Sequence, residues 1–217
     1  MRFQLLVFDW DGTLSDSLSQ IVESLQDMIT VLQLEQRSVE ELRNIIGLGL
    51  DEGMSLLYPD LTASQRVKLT QSYHHHYRAT SIQTGARLYD GVRETIQLLH
   101  RQGYFLAVAT GKSRSGLQRS LEETGLKRYF HTTCCADEAF SKPHPQMLEE
   151  IMHELAISPG QTLMIGDSEY DLLMAANAGV YAAAVNYGVH DVQRLLEFKP
   201  LKCFDNLEDL PGWLSIT

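Results

Sequence analysis

Apolar residues in this chain fall into two kinds of pattern, and the two are unevenly distributed along it. Leu5-Leu6-Val7-Phe8 is a continuous apolar run with no polar residue interleaved. A strand buried on both faces reads this way, because neither face has to meet water. Tyr104 to Ala109, Phe130 to Cys134, Thr162 to Ile165 and Tyr181 to Val185 have the same character. Between these runs the apolar positions recur at helical spacing. Val92, Ile96 and Leu99 share one face, and Gly103 follows them. Leu117 and Leu121 precede Gly125 in the same way. Met147, Leu148, Ile151 and Leu155 form a third face, and Leu172 to Ala178 runs up to Gly179. Glycine suits the position after a last helical turn because it accepts left-handed backbone. Strands alternating with helices predict a parallel sheet covered by helices on both faces.

Residues 16–86 break that alternation. Leu18, Ile21, Val22, Leu25, Ile29 and Leu32 keep helical spacing. Ser38-Val39-Glu40-Glu41 and Thr62-Ala63-Ser64-Gln65 are capping-box patterns, each opening a further helical stretch. Asp16 is expected to cap the first of these helices. No strand pattern is present, so the segment reads as an all-helical module inserted after the first strand. Residues 1–15 and 87–217 then form the α/β core. There is no internal repeat and no low-complexity tract.

Composition narrows the picture. The 217 residues are 44% hydrophobic and 21% charged, the balance of an ordinary globular chain. No apolar stretch approaches the ~20 residues that span a bilayer, and the short apolar start ends in a carboxylate, so no targeting segment is expected. A net charge of −10 disfavours nucleic acid and anionic membranes, which call for basic surfaces. An anionic small substrate stays compatible with a local cationic pocket. Three cysteines without a C-x-x-C pair suit a reduced, cytoplasmic compartment. Oligomeric state is not legible.

Candidate chemistry lies where the predicted strands end, the usual ligand edge of an open α/β sheet. Asp9-Trp10-Asp11-Gly12-Thr13 follows the first strand, Thr110-Gly111-Lys112-Ser113 the second, and Gly166-Asp167-Ser168 the fourth, with Asp171 beyond; Lys142-Pro143 precedes a helix. Up to four carboxylates would converge there, and burying like charges together is costly. A hard divalent cation such as Mg²⁺, which takes carboxylate and phosphate oxygens, resolves the conflict. Carboxylates, Mg²⁺, a lysine and a hydroxyl together describe phosphoryl transfer.

These segments resemble the haloacid dehalogenase superfamily of phosphohydrolases. Its D-x-D-G-T/V-L/V motif stands as Asp9-Trp10-Asp11-Gly12-Thr13-Leu14, its strand-ending Thr or Ser as Thr110, its Lys-Pro as Lys142-Pro143, and its G-D-x-x-x-D as Gly166-Asp167-Ser168-Glu169-Tyr170-Asp171. The resemblance implies a Rossmann-like three-layer core with a type 1 helical cap, and within the superfamily it lies nearest phosphoglycolate phosphatase. It further implies Asp9 as nucleophile, forming an aspartyl-phosphate, and Asp11 as general acid and base. Thr110, Gly111 and Lys142 would bind phosphate. Asp9, Asp167 and the Asp11 carbonyl would hold Mg²⁺, with Asp171 and Ser168 supporting the metal ligands from behind. Gly12 would permit a tight turn. In the cap, Gly47 in Gly47-Leu48-Gly49-Leu50 and Arg43 just before it are candidate substrate contacts, Arg43 toward a carboxylate.

Other readings of the same residues are weaker. Gly111-Lys112-Ser113 lacks the upstream glycine of a P-loop, since position 106 is Leu106. The Gly47–Gly53 glycines have the wrong spacing for a dinucleotide fingerprint and follow a helix. His74-His75-His76 point about 100° apart on a helix and cannot share one ion. Cys134-Cys135 reads as buried packing at a strand end. A dehalogenase would lack Asp11, and a phosphonate hydrolase would carry a lysine in the first cap helix, absent here. A β-phosphoglucomutase-like sugar-phosphate mutase would carry a histidine soon after D-x-D-G and a basic cap loop, both absent. A pyrophosphatase or nucleotidase of the same fold remains an alternative. The expected function is hydrolysis of a small phosphorylated metabolite.

Overall fold

Leu5–Phe8 forms strand β1, with all four side chains buried, at the middle of a six-stranded parallel sheet. The computed structural model describes residues 2–216, Gln83 and Thr84 as backbone alone. The other strands are β2 (Phe105–Thr110), β3 (Thr132–Cys135), β4 (Thr162–Gly166), β5 (Tyr181–Val185) and β6 (Cys203–Phe204), in the order β3-β2-β1-β4-β5-β6. β1 pairs with Phe105–Val108 on one side and Thr162–Ile165 on the other. The strand order therefore reverses beside β1, and that is where the chain ends of β1, β2 and β4 open a crevice.

Alternation along β1 splits the core into two layers. Leu6 and Phe8 join a cluster with Val92, Ile96 and Leu99 of α5 (Val92–Arg101) and Leu117 and Leu121 of α6 (Arg114–Thr124). Leu5 and Val7 face the opposite layer, against Met147, Leu148 and Ile151 of α7 (Gln146–Leu155) and Met174 and Ala175 of α8 (Glu169–Asn177). Because both faces are covered, the strand has no polar side to show, and the continuous apolar run follows. The sequence pattern missed β6, a two-residue edge strand paired with Ala184 and Val185. It also missed two short helices, α9 (Val192–Glu197) and α10 (Leu210–Ile216).

Between β1 and α5 every element is a helix: α1 (Leu18–Val31), α2 (Val39–Asn44), α3 (Leu50–Leu57) and α4 (Ala63–Thr84). They share a cluster of their own, in which Leu18, Ile21, Leu25, Met28 and Ile29 of α1 meet Leu42, Met54 and Leu69. Ser38 and Thr62 cap α2 and α4 through capping boxes with Glu41 and Gln65. α1 departs from expectation. Its N-cap is Ser17, not Asp16, and no side chain caps it. The Ser17 hydroxyl instead donates to Asp11 Oδ1 at 2.7 Å, so the cap position serves the strand-end carboxylate. The outgoing and returning chains meet at an isolated antiparallel bridge between Ser15 and Leu88. Among the described residues no helix is long and apolar enough to cross a membrane.

Candidate active site

β1 pairing runs one residue past the strand, with the Asp9 amide donating to the Ile165 carbonyl at 2.9 Å. This holds Asp9 at the sheet edge, 1% exposed. The chain then turns through Gly12 at φ 88°, and a Cβ there would lie 2.2 Å from Asp167 Oδ2. Conformation and space both demand glycine at that point. Asp167 follows β4. Its Oδ1 accepts from the Thr13 hydroxyl at 2.8 Å and its Oδ2 from the Val189 amide at 2.7 Å.

Asp171 sits one turn into α8 and closes a capping box with Ser168, accepting from the Ser168 amide at 3.1 Å and hydroxyl at 2.7 Å. Its other oxygen accepts from Lys142 Nζ at 2.6 Å, and Lys142 donates at 2.6 Å to Asp9 Oδ1 as well. Lys142 is fully buried and is joined to Pro143, ahead of α7, by a cis peptide. Three chain segments distant in sequence thus meet through one ammonium group.

The charges do not balance. Asp9, Asp167 and Asp171 are all buried, and one oxygen from each lies within 4.8 Å of the others, against the single cation Lys142. Burial pushes the Asp9 carboxyl well above its ordinary pKa, with Lys142 opposing and Asp171 and Asp167 reinforcing. Asp167 rises to about 7, chiefly through burial and then Asp171, with the Val189 amide and Thr13 hydroxyl pulling it down. Burial opposes the Lys142 charge, but Asp171 and Asp9 outweigh it and raise its pKa overall. Asp9 Oδ2 has no hydrogen-bond partner, the one such buried carboxylate oxygen among the described residues. An unpartnered carboxylate oxygen in a buried acidic cluster is a donor set that fits a hard divalent cation and a phosphorus electrophile.

Thr110 ends β2, buried, and its hydroxyl accepts from the Lys112 amide at 3.2 Å. Gly111 touches the helical insertion directly. A Cβ on it would lie 2.3 Å from the Leu48 carbonyl oxygen and 2.7 Å from that of Gly47. Beside it the Gly49 amide donates to the Ser141 hydroxyl at 2.7 Å. Above these contacts lies a cavity of about 320 Å³, walled by Asp9, Asp11 and Thr110 from the core and by Ile21, Leu48, Tyr73 and Tyr77 from the insertion.

Sequence reasoning overlooked Lys112, which it had set aside with the failed P-loop pattern. Its ammonium donates to both oxygens of Asp11, at 2.9 and 3.0 Å, and to the Tyr77 hydroxyl at 3.1 Å. Burial works against that charge, but Asp11 and the Tyr77 and Tyr73 hydroxyls outweigh it and raise the pKa overall. A signal was available: Lys112 stands two residues beyond a strand that ends in the site.

The cap candidates divide. Gly47, at φ 105°, lines the cavity and rests its carbonyl on Gly111. Arg43 does not line it. Its guanidinium donates to the Gly188 carbonyl at 3.0 Å, beside Asn44, whose carbonyl accepts from the Tyr170 hydroxyl at 2.8 Å. The end of α2 is thus a docking point on the core. Of the three histidines, His74 is on the cavity wall and His75 and His76 meet edge to face, with ring centroids 5.5 Å apart.

The haloacid dehalogenase-like hydrolase model matches residues 6–185. The chain is 34% identical to "Probable phosphatase IndB" of Dickeya dadantii over 96% of this chain and 92% of that one. It is 28% identical to "Pyrophosphatase PpaX" of Halalkalibacterium halodurans over 98% of both. Among solved structures, a "predicted phosphoglycolate phosphatase" from Haemophilus somnus superposes with a TM-score of 0.84 at 27% identity, covering 99% of each chain. The four strand-edge motifs lie within the matched span, and the fold is that of these relatives. This chain belongs to the haloacid dehalogenase-like hydrolase family.

Proposed function

We propose that this chain, a phosphatase of that family, is a Mg²⁺-dependent enzyme that hydrolyses a small phosphorylated metabolite through an aspartyl-phosphate on Asp9. The observation that carries the reading is the asymmetry of Asp9. Lys142 holds one carboxylate oxygen, the other is buried without a hydrogen-bond partner, and Asp9 is on the cavity wall. Fixing one oxygen aims the other, which is how a weak carboxylate nucleophile becomes effective.

In this reading Asp9 Oδ2 attacks phosphorus, the bond to the leaving oxygen breaks, and its electron pair takes a proton from Asp11. Asp11 then removes a proton from the water that cleaves the acyl phosphate, returning Asp9. Lys142 and the Thr110 hydroxyl hold phosphoryl oxygens through both steps. Asp9, Asp167 and the Asp11 carbonyl would hold Mg²⁺, with Asp171 and Ser168 behind them; the ion neutralises phosphoryl charge. A cavity of about 320 Å³ suits a small ester. 2-Phosphoglycolate is the leading substrate, and pyrophosphate the alternative that the second relative's name supports. Three free cysteines agree with a cytoplasmic setting.

The test is turnover of p-nitrophenyl phosphate with Mg²⁺. Activity should vanish with a chelator, and Asp9→Asn should lower it by at least ~10⁴-fold, because an amide cannot attack phosphorus. Substantial turnover by the folded variant, or full activity in EDTA, would refute the reading.

A further inference from the structure

Lys112 is engaged in a way that the phosphatase chemistry alone does not require. All three ammonium protons are committed: two to the Asp11 oxygens and one to the Tyr77 hydroxyl. Asp11 Oδ1 accepts from Ser17 as well. Lys112 therefore stands against the residue that the phosphatase reading uses as acid, and whatever binds the ammonium is brought beside it.

The cavity wall indicates what Lys112 would bind. Lys112 is the one lysine or arginine among the wall residues described, and Asp51, Glu52 and Asp137 add negative charge elsewhere on the wall. An anion on the leaving side of the substrate therefore finds a single attractive point, and that point touches Asp11. Around it the insertion supplies Tyr73, Ile21, Leu25 and Leu48, which offer no competing positive charge.

We propose that Lys112 is a specificity-determining residue that exchanges Asp11 for a substrate anion, a carboxylate or second phosphate a few bonds from the scissile oxygen. A substrate with such an anion is held on its leaving side by Lys112; one without it leaves the ammonium on Asp11. Tyr77 ties the same ammonium to α4, so the insertion takes part in the exchange. The proposal rests on the phosphatase reading above and adds to it the class of substrate.

The test compares Lys112→Met, Lys112→Arg and wild type on 2-phosphoglycolate, pyrophosphate and p-nitrophenyl phosphate. A charge-assisted hydrogen bond is worth about 10- to 100-fold. Lys112→Met should lower kcat/KM for at least one anionic-leaving substrate by that factor more than for p-nitrophenyl phosphate, whose leaving group carries no anion. Lys112→Arg should recover part of the difference, and the substrate showing the larger ratio identifies the anion. Equal losses on all three substrates would overturn the proposal. Should Lys112→Met fail to fold, wild type decides alone: phosphonoacetate should inhibit p-nitrophenyl phosphate turnover about tenfold more tightly than methylphosphonate, and equal inhibition would overturn the proposal. Wild-type turnover of p-nitrophenyl phosphate, abolished by Asp9→Asn, keeps the phosphatase reading separate from either result.

Discussion

The sheet edge and the helical insertion face the same cavity with opposite chemistry. On the sheet side the groups are charged, buried and locked: Lys142 bridges Asp9 and Asp171, and Asp167 takes hydrogen bonds from Thr13 and Val189. On the insertion side α4 contributes Thr70, Tyr73, His74 and Tyr77, and over its 22 residues only Leu69 and Ser81 are buried among the side chains described. Rigid charge suits a step common to every phosphate ester, because preorganised groups need no rearrangement as charge develops. A lightly anchored wall of hydroxyls and rings suits the part that varies between esters. Lys112 belongs to the core by sequence but bonds to both sides, which places the discrimination at the seam.

The sharpest way to break this contrast is Lys142→Met. Removing the cation that bridges Asp9 and Asp171 leaves the three carboxylates uncompensated, and breaking a buried pair in this way costs about 3–5 kcal/mol. Urea unfolding without metal should show a loss of that size, and turnover should disappear on every substrate alike. A variant of near-wild stability would mean that the three carboxylates are already neutral or solvated.

A smaller effect is expected at the seam. In Gly111→Ala the new methyl meets the backbone carbonyls of Gly47 and Leu48, which cannot rotate away as a side chain can. The loop must lift, so KM should rise by about tenfold while stability changes by roughly 1 kcal/mol. A change confined to kcat, with KM preserved, would show that the insertion does not form the substrate wall.

The least effect concerns pH. His190 is buried on the core side, where its Nδ1 accepts from the Glu169 amide at 3.0 Å. Burial and then Arg194 lower its pKa from 6.5 to about 4. The unfolded chain takes up the proton first on acidification, so this group costs stability as pH falls from about 6.5 to about 4. His190→Asn should flatten that part of the profile relative to wild type, read as urea midpoints at pH 7 and pH 5. An unchanged difference between the two pH values would mean that His190 is solvated in the native state.

How much of this was legible in the sequence depended on range. β1, β2, β4 and β5 could be read because a strand covered on both faces is apolar almost throughout, a local demand; β3 opens on half-buried Thr132 and Thr133 and starts two residues later than the expected Phe130. β6 could not, since two residues at a sheet edge carry no period and owe their place to β5. The convergence of Asp9, Thr110, Lys142 and Asp167 was readable because each directly follows a strand or precedes a helix. Lys112 was legible as a residue just beyond β2, but its partner was not, because Asp11 lies 101 positions away and only the sheet order brings them together. Arg43 shows the same limit: its place at a helix end was evident, but whether that end faced the cavity or the Gly188 loop was a matter of tertiary packing. Asp16 and Ser17 are both competent capping residues, and the choice between them turned on where Asp11 happened to lie.

The contact between the loop 47–49 and the core is made by main-chain atoms: two carbonyl oxygens against Gly111 and one amide on Ser141. Main-chain groups are the same whichever amino acid carries them. Leu48 and Leu50, both on the cavity wall, can therefore be exchanged without loosening the fit between the two halves. A lineage of such enzymes can explore new esters by drift at these two positions while the chemical step stays intact. Gly111 and Ser141, which receive those main-chain atoms, are the places where the same drift would loosen the fit.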